Sequence, residues 1–493
     1  NPCSPPSAMF AVTVLLLLVQ GLIQYPQQAG DGLDEATREC MQQRAEYLNQ
    51  QMRQLLQELE QKNLEQNGGV WGALLMWQFW TLTGILILHL ALWFGLRKIR
   101  HHPENSGHEE RSSNKDHNVN RNLESLLEER IQLPVLDLDK GCSVIMDLMD
   151  KLTHIFRQGL YNSFYPVPQQ AIGVGSAFEG WSPHAQDVVY CVLVPLSPPP
   201  GHAFHLELDT AGMLQRNFCV RVELLCTCTR EQLGEDMLCF LHHCEEELRK
   251  RQDPSLLHTL CTGAYLDVEK TVHWFHQFIR VAWLLLPESR HWCLMLQPST
   301  RSCKFQLSKD NESFTIEIIF GVQQGDSDIF VGSQPAETGI PSTTWLETYA
   351  VAEAKFFRHI SRQAAQDSWY CKCLQLLTCF LTGVGFSSYA LKTVVMHLLN
   401  TEPPTPWRRG DFRQQLTDIL KYLRCSLETK QLHHFVLGNA SFPMEISLPS
   451  GFRVAEPPNL FQHLASSPDD HAKAMQEYAH LLHCLKQLLI HGH

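Results

Sequence analysis

Gly175 and Ser176, within "GVGSAFEGWSPHAQDVVYCVLV" at 173–194, form a small turn that leads into an apolar strand beginning near Asp187. Such a turn lets backbone and hydroxyl groups approach phosphates closely. Nucleotidyl transfer also needs one or two Mg²⁺ ions to bind the triphosphate and polarise the attacking hydroxyl. Hard cations take carboxylate oxygens, and two acids flanking a single strand residue point to the same face. Asp187 fills the second of those positions, but the first holds Ala185. Glu317 in "FTIEIIFGV" stands alone on the face opposite Phe314, Ile316, Ile318 and Phe320. That suits a third metal ligand and a solvent-facing residue equally. A two-metal site lacking one ligand loses charge stabilisation worth about several kcal/mol in the transition state. Asp187 therefore reads as a vestigial metal position and Gly175 and Ser176 as a vestigial phosphate turn, while Glu317 stays open between the two readings until a family resemblance bears on it. No catalytic residue, cofactor or metal is expected.

Other acids replace the missing one poorly. Glu207 and Asp209 in "HLELD" have the right gap but come one strand too late, and Asp326 and Asp328 fall in a polar loop expected at the surface. His184 reads as a loop residue. Of the 17 cysteines, Cys226/Cys228 and Cys371/Cys373 form CxC pairs, and His242-His243-Cys244 adds a trio. With no second ligand pair at zinc spacing, they read as buried reduced thiols.

The elements that would position these residues follow a long N-terminal region. Residues 9–30 are an apolar run expected to act as a signal peptide, the alternative being an uncleaved anchor. In 31–70, Met41, Ala45, Leu48, Met52, Leu55 and Leu59 repeat at heptad spacing. A coiled-coil stalk is expected there, with homo-oligomers sealed by an interchain disulfide at Cys40. Residues 74–96 contain no Asp, Glu, Lys or Arg, and would reach about 34 Å as a helix. Trp71, Trp77, Trp80 and Trp93 flank that stretch, and Arg97, Lys98 and Arg100 follow it. The expectation is one transmembrane helix, in a type I protein of the cell membrane whose C-terminal domain is cytoplasmic. A polar linker at 97–122 reads as disordered. Net charge −12 argues against a nucleic-acid partner, which needs a dense Lys/Arg surface.

From 123 the order is helix, mixed sheet, then helices, an α+β plan. The core spans 123–345 and a helical region 346–493. Residues 231–251, 268–285 and "WLETYAVAEAKFFRHI" are expected to be helical.

The Gly175-Ser176 turn, "QDVVYCVLVPL", "FTIEIIF", "SSYALKTVVMHLL" and "HHFVLGN" give 123–493 a resemblance to the Mab-21 family, relatives of the cyclic GMP-AMP synthase and oligoadenylate synthase nucleotidyltransferases. With the N-terminal segments in front, the whole chain resembles the inositol 1,4,5-trisphosphate receptor-interacting protein-like group. The resemblance implies a nucleotidyltransferase-like mixed sheet with a helical C-terminal bundle. Its catalytic acids carry over to Asp187 and Glu317, with Ala185 in place of the first. The Cys/His zinc insertion of the DNA-sensing synthase is missing, since "SWYCKCLQLL" runs straight into helix. The expected function is interaction and signalling by a pseudoenzyme. Its expected partners are proteins: inositol trisphosphate receptors, as the family name implies, and an extracellular receptor for the ectodomain. The alternatives are a membrane-tethered metal-dependent nucleotidyltransferase and an adaptor acting through the coiled coil alone.

Overall fold

Apolar residues three and four apart make α1 (Val135–Gly159), whose Ile145, Met149, Leu152 and Phe156 are buried on one face. The computed structural model describes residues 135–490, apart from 160–162, 183–187, 210–215, 233–236, 311, 336–338, 364–369 and 402–411. After α1 come β1 (Val167–Pro168), β2 (Ile172–Val174), the single turn α2 (Gly175–Phe178), and strands β3 (Val189–Ser197), β4 (His202–Asp209) and β5 (Asn217–Leu224). Short helices α3 (Cys228–Gln232), α4 (Glu245–Arg251) and α5 (Leu256–Thr259) lead to β6 (Cys261–Thr262), β7 (Tyr265–Leu266) and the long α6 (Val268–Leu285). Strands β8 (Cys293–Gln297), β9 (Cys303–Lys309), β10 (Glu312–Gln323), β11 (Phe330–Gly332) and β12 (Thr344–Thr348) complete the sheet. The rest is helical: α7 (Ala350–Gln363), α8 (Tyr370–Cys379), α9 (Ser388–Thr401), α10 (Phe412–Thr429), α11 (Gln462–Ser466) and α12 (Pro468–Ile490).

The described strands form one 12-stranded mixed sheet along the path β1-β3-β10-β11-β12-β5-β7-β6. β10 lies parallel to β3, while β2 pairs antiparallel with β3. Val192, Ile316, Ile318 and Phe320 form one face and bury against α1 and α6. Phe156 stacks on Phe275 with ring centroids 4.9 Å apart. Asp267 caps α6 by accepting the Lys270 N–H at 3.1 Å. The opposite face carries Leu193 and Ile319, which pack with Val351 and Ala354 of α7. A separate apolar core holds α7 to α12 together.

The α+β order expected from the sequence is present, with two local differences. Thr344–Thr348 is a strand, not the start of a helix, because all five residues are buried between β11 and β5. Tertiary pairing outweighs local helical preference there. Among the described residues of 231–251, helix is confined to Glu231–Gln232, the end of α3, and to α4.

The expected placement as a single-pass type I protein of the cell membrane is corrected: among the described residues no helix is long and apolar enough to cross a membrane. A span needs about 20 apolar residues, whereas α1 and α12 each bury one stripe and expose charged residues on the other. The expected signal peptide (9–30), stalk with Cys40 and its heptad seam (31–70), apolar stretch (74–96) and linker (97–122) lie outside the described residues.

Candidate functional site

The Gly-Ser turn stands at the end of β2. Gly175 has φ +78°, a left-handed conformation that favours glycine, and a Cβ would find nothing closer than Cys191 Cβ at 3.7 Å. Conformation, and not space, demands glycine here. The chain then coils for one turn: Gly175 C=O accepts from the Glu179 N–H at 3.0 Å, and Ser176 C=O from Trp181 at 2.9 Å.

The parallel register of β3 and β10 sets Glu317 level with Cys191, and Thr315 level with Val189. Asp187 and Ala185 lie outside the described residues, as does His184, and β3 begins at Val189. Glu317 is half-buried and accepts a hydrogen bond from Ser302 Oγ at 2.7 Å. Burial, then the charges of Glu317 and Glu179, push the Cys191 thiol up to about 12.

Glu179 belongs to no motif that the sequence displays. It is buried, and accepts from Lys392 Nζ of α9 and from Trp181 Nε1, each at 2.7 Å. Lys392 also reaches Glu353 of α7 at 2.7 Å. Glu353 accepts from the Tyr389 hydroxyl at 2.8 Å. Tyr389 in turn contacts His434 Nε2 at 3.2 Å. His434 Nδ1 accepts the N–H groups of Val436 and Leu437, so its proton sits on Nε2 and is donated to Tyr389. The hydrogens therefore point in one direction, from His434 through Tyr389 to Glu353, and Lys392 bridges Glu353 to Glu179. Burial lowers Lys392, but both carboxylates outweigh it and push it up to about 12. Burial raises Glu179 despite Lys392, whereas at Glu353 burial is outweighed by Lys392 and Tyr389 and the carboxyl lies below its usual range. The Gly-Ser segment is thus pinned to the helical half by a water-excluded ion cluster. Nothing in the periodicity of the sequence marks Glu179, Glu353 and Lys392 as partners, since each of the three sits in a different element.

Burial carries His434 from the usual 6.5 down to about 4. A depressed histidine contributes stability that is complete above pH 6.5 and is lost as pH falls through 4, for a total of about 3 kcal/mol. His434→Asn, which keeps an acceptor near Nδ1, is expected to flatten the stability profile between pH 7 and pH 4. Urea midpoints across that range are the measurement, and an unchanged slope would count against the assignment.

A second anchored loop joins α8 to α9. Glu477 of α12 accepts the N–H groups of Thr382 (2.5 Å), Val384 (3.2 Å), Gly383 and Gly385 (both 3.3 Å), together with the Thr382 hydroxyl. A Cβ at Gly385 would lie 2.6 Å from Ala474 Cα, so glycine allows this close approach. A run of convergent amides is an anion-binding concavity. Here the anion is the chain's own carboxylate.

The other candidates disperse. Glu207 pairs with Arg221 at 2.7 Å and accepts from Tyr265 at 3.1 Å on the β4–β5 hairpin, with no role as a paired ligand. Asp328 is buried, contrary to the surface position expected, because it ties Lys355 Nζ (2.6 Å) and the Ser447 N–H (3.0 Å) to the sheet. Cys373 is buried, and Cys371 donates to Glu179 C=O at 3.3 Å. The view of Cys226 and Cys228 as buried reduced thiols changes: Cys226 is exposed, and folding brings both beside Cys239 and His242. Of the trio, only His242 joins them, while His243 bridges Glu231 and Glu247.

A mixed sheet joined by buried ion pairs to a helical region is a mixed α+β arrangement that fits a Mab-21-like fold. The family model for the Mab-21 protein HhH/H2TH-like domain matches residues 369–441, which cover α8, α9 and α10. The chain belongs to the inositol 1,4,5-trisphosphate receptor-interacting protein family. It is 30% identical to inositol 1,4,5-trisphosphate receptor-interacting protein-like 1 of Rattus norvegicus, over 97% of this chain and 98% of that protein. The Mus musculus protein of the same name matches equally, at 30% over 97% and 98%. The Homo sapiens inositol 1,4,5-trisphosphate receptor-interacting protein is 30% identical over 63% of this chain and 61% of its own length. The full-length correspondence is thus to the like 1 proteins.

Proposed function

We propose that this chain is a protein-interaction pseudoenzyme: a nucleotidyltransferase-like sheet without a working metal site, whose partner is an inositol 1,4,5-trisphosphate receptor. The observation that carries the reading is the register of β3 and β10. It sets Glu317 level with Cys191, four residues from position 187, and Ser302 occupies one of the Glu317 carboxylate oxygens. Ala185 where a first acid is needed adds to this. In this reading Asp187 and Glu317 are relics of metal positions, and Gly175 and Ser176 are relics of a phosphate turn. The receptor as partner rests on the printed names of the relatives. Net charge −12 and the self-occupied amides at 382–385 support a protein partner over nucleic acid. Homo-oligomers through the seam at Met41 to Leu59 are part of the same reading, on the heptad spacing.

The test is Mg²⁺- and Mn²⁺-dependent nucleotide binding and turnover by the purified full chain, beside Asp187→Ala. Co-purification with an inositol 1,4,5-trisphosphate receptor is measured in parallel. Expected are no metal-dependent turnover and receptor association that Asp187→Ala leaves unchanged. Turnover abolished by Asp187→Ala would overturn the reading and make the chain a metal-dependent nucleotidyltransferase.

A further inference from the structure

We propose that Cys226, Cys228, Cys239 and His242 form a closed structural zinc site that staples the excursion between β5 and α5. The four residues come from two short segments: the exit of β5, and a turn in which the His242 N–H donates to Cys239 C=O at 3.2 Å. Their ligand atoms all lie within 4.8 Å of one another. His242 Nδ1 is 2.9 Å from Cys228 Sγ, 3.4 Å from Cys239 Sγ and 3.6 Å from Cys226 Sγ. Tetrahedral zinc, with Zn–S of about 2.3 Å and Zn–N of about 2.0 Å, separates its ligand atoms by roughly 3.5–3.8 Å. The observed separations bracket those values, so sub-ångström to ångström adjustments close the sphere.

The donor set decides the metal. Three thiolates and an imidazole suit zinc, whereas Mg²⁺ and Ca²⁺ take oxygen ligands. Four protein ligands leave no open position, which makes the site structural and not catalytic. On binding, three thiols release their protons to solvent and the filled site carries one net negative charge.

The surroundings are built to hold the ligands. The Thr227 N–H donates to Cys239 Sγ at 3.4 Å. Glu231 accepts the Cys239 N–H and also bonds His243 at 3.3 Å. Gln252 clamps Leu238 twice, accepting its N–H at 2.9 Å and donating to its C=O at 3.1 Å. Such outer bonds fix the direction of the ligands. Phe240 anchors the turn against Phe164 at 4.6 Å and His202 at 5.4 Å.

The two short helices of this stretch, α3 and α4, contribute no buried side chain. A segment with so little apolar burial needs a cross-link, and a bound metal supplies folding free energy directly. The four ligands come from residues 226–242 and not from "SWYCKCLQLL", the segment where the resemblance to the DNA-sensing synthase would place a zinc insertion.

The experiment is metal analysis and cobalt substitution on the full chain purified under reducing conditions. Expected is one zinc per chain, with Co²⁺ exchange giving thiolate-to-cobalt charge-transfer absorption and tetrahedral ligand-field bands. Both signals should disappear in the Cys226→Ser/His242→Ala double variant and persist in Cys293→Ser, an exposed cysteine on β8. Cys226 and His242 are chosen because they are exposed. A chelator should lower the Tm of the native chain and leave that of the double variant unmoved. Zinc-free protein with no cobalt–thiolate band would overturn the proposal, as would zinc retained in the double variant or a metal-free disulfide among these cysteines.

Discussion

Lys392→Met is expected to lower the unfolding free energy by about 3–5 kcal/mol at neutral pH, because it breaks a buried ion cluster. Lys392 is the common partner of Glu179 and Glu353, each 2.7 Å away, and all three are at most 5% exposed. A methionine of similar length fills the space but leaves two carboxylates facing each other in a low-dielectric interior. Their folded pKa values then rise above the unfolded one. The variant should therefore be closest to the native protein in mild acid, and fall further behind as pH rises through those raised values. Adding Glu179→Gln removes one orphaned charge and should recover part of the loss. Denaturant midpoints for native, single and double variants between pH 5 and pH 8 are the measurement. A loss below about 1 kcal/mol would show that water reaches the cluster. Hydrogen exchange reads the structural consequence. Because Glu179 ends the turn that begins at Gly175, amides 175–182 should lose protection first in Lys392→Met.

Glu477→Ala is expected to cost about 3 kcal/mol or more, because several amides lose their acceptor together. The carboxylate serves Thr382 to Gly385 while only 4% exposed, and the close packing of Gly385 on Ala474 leaves little room for water to replace it. Glu477→Gln keeps one oxygen and should cost about half as much. At Glu477 burial raises the pKa, but the hydroxyl and amide donors of Thr382, Gly385 and Gly383 outweigh it and hold the carboxyl below the usual range. A depressed carboxyl contributes stability that is complete above the unfolded value near 4.5 and is lost as pH falls through the folded one. The gap between native and Glu477→Gln protein should accordingly close in acid. A gap that persists there would mean that packing of the glutamate stem, not its charge, holds the hairpin.

These two clusters show where sequence reading reaches its limit. Strand alternation placed Glu317 on the face opposite Ile316 and Ile318, and helical periodicity placed the helix at 268–285. Both are properties of one element, so periodicity reveals them. The Gly175 turn was legible for the same reason, as a local backbone demand met by a residue without a Cβ. Which β3 residue lies beside Glu317 was not legible, because it depends on the register between two strands more than 120 residues apart in the chain. Asp328 was misplaced on the surface since nothing local signals that Lys355 and Ser447 will close over it. The strand at Thr344–Thr348 was read as helix because its pairing with β5 is set by a segment far upstream.

The sequence by itself determined the α+β order, the helical C-terminal region and the glycine turn, since each is carried by residues close together in the chain. Only the tertiary structure decided that Glu179, Glu353 and Lys392 share one buried cluster, that Glu477 fills the hairpin amides, and that Cys226, Cys228, Cys239 and His242 meet. Charge pairing and metal ligation act over a few ångströms, and the pairs that matter here come within that range only after the chain has closed on itself.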